Sequence, residues 1–150
     1  MSTAEAALAP ERRQTLTAVV DRILPGTGGP GAEATEAAAA VERAMVHACM
    51  RGLRGGIEQM LDRLESTAVE RHARSFASCA PPERDELLRG LERDPNPWTQ
   101  FLFRTVVSFS LEGLLGDPVH GGNRDFRGWD AMGLCSDDVR SGMCRSARGC

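Results

Sequence analysis

The sequence predicts an all-α fold, a single small bundle of about five helices, on three observations. Apolar residues recur at helical spacing in one segment after another. No segment shows sustained two-residue alternation bounded by hairpin turns, so the Val-Val pairs sit better in helices than in strands. Proline or glycine separates the apolar segments. At 150 residues the chain is long enough for one domain with one core.

From Pro10, the residues Leu16, Val19, Val20 and Ile23 fall at i, i+3, i+4 and i+7, giving a first helix ended by Pro25-Gly26. Thr27-Gly28-Gly29-Pro30-Gly31 reads as a turn, because its glycines favour open conformations and Pro30 lacks a donor. A second helix is expected from about Ala34 to Met50, with Ala37, Val41, Ala44, Met45 and Ala48 buried, before Gly52 to Gly56 loosen the chain. Ile57, Met60, Leu61, Leu64 and Ala68 mark a third, amphipathic helix running toward Phe76. Pro81-Pro82 opens a fourth, with Glu83, Asp85 and Glu86 at its positive end and Arg89 and Arg93 at its negative end. Leu87, Leu88 and Leu91 are its apolar side. Asp94-Pro95-Asn96-Pro97 breaks that helix, and Trp98 to about Leu115 is apolar on nearly all sides, which predicts the most buried helix. The domain is expected over 10–134, followed by a flexible cysteine-containing tail over 135–150.

Charge and composition remove several classes. The net charge of −3 is small and the arginines are spread along the chain, so no basic stripe tracks a phosphate backbone and no nucleic-acid partner is expected. The uncharged stretch between Arg104 and Glu112 falls far short of the roughly 20 residues that span a bilayer, so no membrane insertion is expected. Met1 to Glu11 lacks an apolar run, and Asp21 and Arg22 interrupt the apolar positions after Arg12-Arg13. A cytoplasmic location is the expectation, with co-export to the periplasm alongside a partner as the alternative. Cys49, Cys79, Cys135, Cys144 and Cys150 show no Cys-x-x-Cys spacing and read as free thiols.

The most informative stretch is Ser110-Leu111-Glu112-Gly113-Leu114-Leu115-Gly116-Asp117-Pro118-Val119-His120-Gly121-Gly122-Asn123-Arg124-Asp125, followed by Gly128-Trp129 and Gly133. Gly116-Asp117-Pro118 stops a helix, Gly121-Gly122-Asn123 tolerates positive φ, and Asp117, Asn123 and Asp125 are suited to bonding the turn's own amides. A compact loop of definite shape is predicted.

This order of motifs resembles the gluconate 2-dehydrogenase subunit 3 family: a helix ending in Leu-Glu-Gly, Asp-Pro, a Gly-Gly-Asn turn, and Gly-Trp before a Met-Gly segment. Leu16 to Thr27, LTAVVDRILPGT, is similar to the family's first helix and proline turn, so the resemblance spans roughly residues 14 to 134. It implies a small accessory subunit that pairs with a large FAD-dependent dehydrogenase of the glucose-methanol-choline type, often alongside a cytochrome c subunit. Such subunits are implicated in the large subunit's maturation and export. The flavin chemistry, on a sugar, polyol or other alcohol, then belongs to the partner, and no cofactor, catalytic residue or metal ligand is assigned to this chain. Glu112, Asp117, Pro118, His120, Gly121, Gly122, Asn123, Arg124, Asp125 and Trp129 are the expected partner-binding residues.

Other readings of the same residues stand beside this one. His120 with Asp117 and Asp125 has the chemistry of a general base and its orienters, which would make the chain an enzyme alone. Cys135, Cys144 and Cys150 with His120 have metal-binding chemistry without a tight ligand spacing, the basis of a stand-alone metal or redox protein. His47 and Cys49 lie on nearly opposite helix faces and cannot share one metal. Trp129 is either a core plug or an interface anchor, and Arg124 and Arg127 are either solvated or aimed at partner carboxylates. Glu112, in an apolar helix, is expected to pair with Arg104 or Arg124. With no credible strand, no Gly-x-Gly-x-x-Gly turn is placed to hold a dinucleotide.

Overall fold

The computed structural model describes residues 8–26, 31–32, 36–47 and 50–134. Through them run six α-helices: α1 (Pro10–Ile23), α2 (Ala37–Ala44), α3 (Arg54–His72), α4 (Pro81–Glu92), α5 (Pro97–Leu115) and α6 (Arg127–Ala131). Single 3-10 turns occupy Phe76–Ser78, Pro118–His120 and Arg124–Phe126. Among the described residues there is no strand, and the all-α expectation holds. Cys49 and the cysteine-bearing tail lie outside the described residues.

The periodicity that marks each helix becomes its buried stripe. Leu16, Val19 and Val20 of α1, Ile57, Met60, Leu61, Leu64 and Ala68 of α3, and Leu87, Leu88 and Leu91 of α4 converge on Leu102, Phe103 and Val106 of α5. Burial of each such side chain contributes on the order of 2 kcal/mol. Helix ends follow local chemistry: Pro10, Pro81 and Pro97 occupy first turns where no amide partner is needed. Asn96 caps α5 by accepting from the Trp98 amide at 2.9 Å. Ala73, at φ 54°, turns the chain out of α3 before Phe76 reaches the core as part of a 3-10 turn.

Three boundaries differ from the sequence expectation. The described second helix covers Ala37–Ala44, shorter than 34–50, and residues 45–47 form turns. The third begins at Arg54, inside the glycine stretch expected to be loose. A Cβ at Gly56 would stand 3.0 Å from Cδ1 of Leu102, so this glycine lets the start of α3 approach α5. A short sixth helix, α6, follows the glycine loop.

The fifth helix is also less enclosed than its composition predicts. Trp98, Phe101 and Leu111 are about half exposed, on a face that includes Arg104, Ser108 and Glu112. Trp98 and Phe101 stack on one another with centroids 5.4 Å apart, each shielding part of the other from water. Thr99, Leu102, Phe103, Val106, Ser110 and Gly113 are the buried side. Nineteen residues are more surface than the neighbouring helices of so small a domain cover.

α2 and α5 form the most extensive helix pair. They approach closely at Gly113, where an added Cβ would lie 3.0 Å from Cα of Ala37 and 3.1 Å from its carbonyl oxygen. Two small residues thus let the backbones touch, which is how an eight-residue helix obtains a large share of its contacts.

Around the core, α1 sends arginines to three other helices. Arg12 makes a two-pronged contact with Asp62 at 2.7 and 2.8 Å and a third with Glu58 on α3. Arg13 grips Glu42 on α2, and Arg22 grips Asp85 on α4 at 2.8 and 2.9 Å. A fourth pair joins Arg63 on α3 to the buried Asp94, which also accepts from the Asn96 amide. Exposed pairs of this sort add about 0–1 kcal/mol each, but planar forks also fix which helix faces which.

Two predictions follow from this packing. Gly113→Val should drive α2 off α5 and lower unfolding free energy by about 2 kcal/mol, read by urea denaturation, while Gly113→Ser should cost less. The carboxyls of Glu42, Asp62 and Asp85 are held below their ordinary values chiefly by hydrogen bonds from Arg13, Arg12 and Arg22, and that of Asp94 by the Asn96 amide and then Arg63. Groups depressed in the folded state contribute stability that is complete above their unfolded value, near 4, and is lost as pH falls through the folded values. Thermal unfolding should therefore be level between about pH 5 and 7 and fall steeply below about 4, and Asp62→Asn with Asp85→Asn should flatten that fall.

Candidate functional site

The predicted loop is the C-terminal closure of α5. A helix that ends inside a fold leaves its last carbonyls without intrahelical partners. Here the Asn123 amide donates to the Gly113 carbonyl at 2.5 Å, and Asn123 Nδ2 donates to the Gly116 carbonyl at 3.0 Å. Trp129 Nε1 donates to the Leu115 carbonyl at 2.5 Å. The Asn123 Oδ1 in turn accepts from the Gly128 amide at 2.7 Å, tying the start of α6 to the same residue. Asn123 is fully buried, so losing the bonds it makes is costly.

The glycines have separate tasks. Gly121 adopts φ 85°, the left-handed region that a side chain disfavours. Gly122 does not. It is buried against Gly113, and a Cβ there would overlap the Gly113 carbonyl oxygen. Gly128 is needed for a similar reason, since its Cβ would overlap the Leu114 carbonyl oxygen. Asn123, Asp125 and Phe126 all take positive φ, a strained run that is retained because the hydrogen bonds around Asn123 hold it. Asp117 Oδ1 accepts from the Val119 amide at 3.0 Å, as expected for a turn-making aspartate. Asp125 makes no such bond; its carboxylate lies exposed, 3.9 Å from Arg124.

The ten expected partner-binding residues therefore separate by position. Gly122 and Asn123 are buried, Asp117, Pro118, Gly121 and Trp129 are half-buried, and Glu112, His120, Arg124 and Asp125 are exposed. Trp129 combines a hydrogen bond into α5 with a tilted contact to Phe126 at 5.5 Å. Glu112 corrects the sequence reading: it points to solvent, Arg104 bonds Gln100, and Arg124 pairs with Glu36 at the start of α2 at 2.6 Å. The helix is apolar in composition, but position 112 falls on its open face.

Glu112, Asp117, His120 and Gly122 share a groove of about 570 Å³ between α2, the end of α5 and the loop. Its other wall is α2, through Ala40, Arg43 and Ala44, continued by His47 in the turn that follows. Phe109 and Gly113 continue the floor. The α2 contribution was not assigned from sequence; the signal was an Ala40/Ala44 stripe flanked by Arg43 and His47 on one face. Arg124 and Asp125 do not line this groove, so the loop's His120 and Asp125 are not gathered in it.

Among the described residues no three of His, Cys, Asp or Glu stand where they could hold one metal ion. Cys79 is buried, and desolvation, followed by the charge of Glu83, raises its thiol above the ordinary value, away from thiolate reactivity. No described helix is long and apolar enough to cross a membrane.

The class defined by these features is a small helical domain whose last long helix is closed by a strained, hydrogen-bonded glycine loop beside a polar groove. The family model for gluconate 2-dehydrogenase subunit 3 matches residues 10–134. The chain belongs to that family. No curated protein and no solved structure matches the chain.

The clamp gives a direct test. Asn123→Ala leaves the Gly116 carbonyl and Gly128 amide without their partners and should cost about 3 kcal/mol in urea unfolding. His120→Ala, at an exposed position, should stay within about 0.5 kcal/mol of the native chain.

Proposed function

We propose that this chain is a non-catalytic accessory subunit that binds and stabilises a larger FAD-dependent dehydrogenase of the glucose-methanol-choline type. The observation that carries the reading is membership, over residues 10–134, of a family named for a subunit of gluconate 2-dehydrogenase. In this reading the flavin and the alcohol-oxidising chemistry, on a sugar, polyol or other alcohol, reside in the large partner, with a cytochrome c subunit as a further neighbour.

The physical mechanism is burial of exposed apolar surface on a rigid support. Val119, Met132 and Leu134 are 57–69% exposed, on or after the clamped loop, and Leu111 is 44% exposed on the last turns of α5. Buried in an interface, such side chains contribute about 25 cal/mol per Å² before the cost of association is subtracted. A loop held by Asn123 and Trp129 presents them in one conformation, which lowers the ordering cost of binding. A subunit that binds only the folded form of its partner stabilises it by mass action.

Co-expression with the flavoprotein encoded nearest to it, followed by tagged purification and an absorbance scan, checks this. A yellow complex of fixed stoichiometry is expected, with at least about tenfold weaker binding for Val119→Asp, whose exposed site leaves the fold intact. A colourless chain that retains no flavoprotein, or alcohol oxidation by the chain alone, would remove the proposal.

A further inference from the structure

The groove beside the loop holds two opposite charges that do not meet. The side chain of Arg43, on α2, makes no hydrogen bond or ion pair within the described residues, whereas Arg12, Arg13, Arg22, Arg63 and Arg124 each have a carboxylate partner. Its side chain lies close to the loop. A Cβ at Gly121 would lie 2.7–2.9 Å from Nη2, Nε and Cζ of Arg43, so the guanidinium lies beside the bare backbone of this positive-φ glycine. Glu112, on α5, lines the same groove with its carboxylate exposed and, among the described residues, without an ion-pair partner within 4 Å. Between them the floor is small and apolar: Ala40, Ala44, Gly113 and the ring of Phe109. Asp117, also on the rim, is already engaged by the Val119 amide, and His47 and His120 complete the polar edge.

A guanidinium and a carboxylate that do not pair with each other, set beside a floor of small residues, are complementary to a ligand with the reverse arrangement. We propose that this groove receives a segment of the large partner subunit that carries a carboxylate and a cationic side chain on either side of a small apolar residue. The carboxylate meets the planar fork of Arg43, and the cation meets Glu112. The apolar residue fills the floor, where Ala40, Ala44 and Gly113 leave space that larger side chains would occupy. This assigns α2, rather than the loop alone, to the interface, and it rests on the accessory-subunit reading.

Binding of the purified full-length chain to the same flavoprotein, measured by calorimetry, tests it with Arg43→Glu and Glu112→Arg. These two variants move the net charge in opposite directions. If both poles are read by contact, each should weaken binding about tenfold or more, and a matching charge reversal in the partner segment should restore it. If one variant weakens and the other tightens binding, only long-range charge matters and the proposal fails. If neither changes affinity, the groove is not the contact, although the accessory-subunit reading stands. If the native chain binds no flavoprotein, both fall. Far-ultraviolet circular dichroism confirms folding, and Arg43→Gln and Glu112→Gln, each expected to weaken binding about threefold, carry the same comparison should a reversed charge perturb a helix.

Discussion

The end of α5 is the constraint on which the rest of the domain depends. A long helix that terminates inside a small fold must satisfy its last carbonyls, and here one buried asparagine and one indole supply the donors. Meeting that requirement draws the chain back over Gly113 and Leu114, which only glycine at 122 and 128 permits. It also brings the loop beside α2, because the same Gly113 lies against Ala37 of α2. The groove is the space left between these three pieces, so its shape follows from a helix-capping problem.

Much of this was legible in the sequence, and the parts that were not share a cause. Leu16, Val19 and Val20, or Ile57, Met60, Leu61 and Leu64, announce buried stripes because their spacing is itself the geometry of a helix face. Likewise Pro81 and the Asp94-Pro95-Asn96-Pro97 break mark helix limits by local stereochemistry. Position within the assembled bundle is not local. Trp98, Phe101 and Leu111 look like core from composition and prove half exposed, since nothing local records how many neighbours a helix has. Glu112 was expected to need an internal partner for the same reason. Gly122 appeared to be a turn residue and is a packing residue, because close approach to Gly113 depends on where the chain returns. Arg43, distant in sequence from the loop, became visible only once α2 lay beside it.

The site separates shape from chemistry. Residues with the most distinctive sequence pattern, Gly121-Gly122-Asn123 and Trp129, hold the loop together. Residues free to meet another molecule, among them Val119, Glu112 and Arg43, are less distinctive and are carried on helices or beside a cap. A motif can therefore identify a family through its scaffold while the exposed surface beside it is carried by other residues.

The shortness of α2 has a kinetic consequence. Eight residues are too few to remain helical alone, so this segment persists only while α5, the loop and α1 are seated against it. α2, the loop and α6 should thus open and close as one cooperative unit, exchanging amide hydrogens sooner than α1, α3 and the interior of α5. A molecule lodged in the groove would then slow exchange across that whole unit, including amides it never touches, and the domain would register occupancy as a change in local opening rather than as a change of shape.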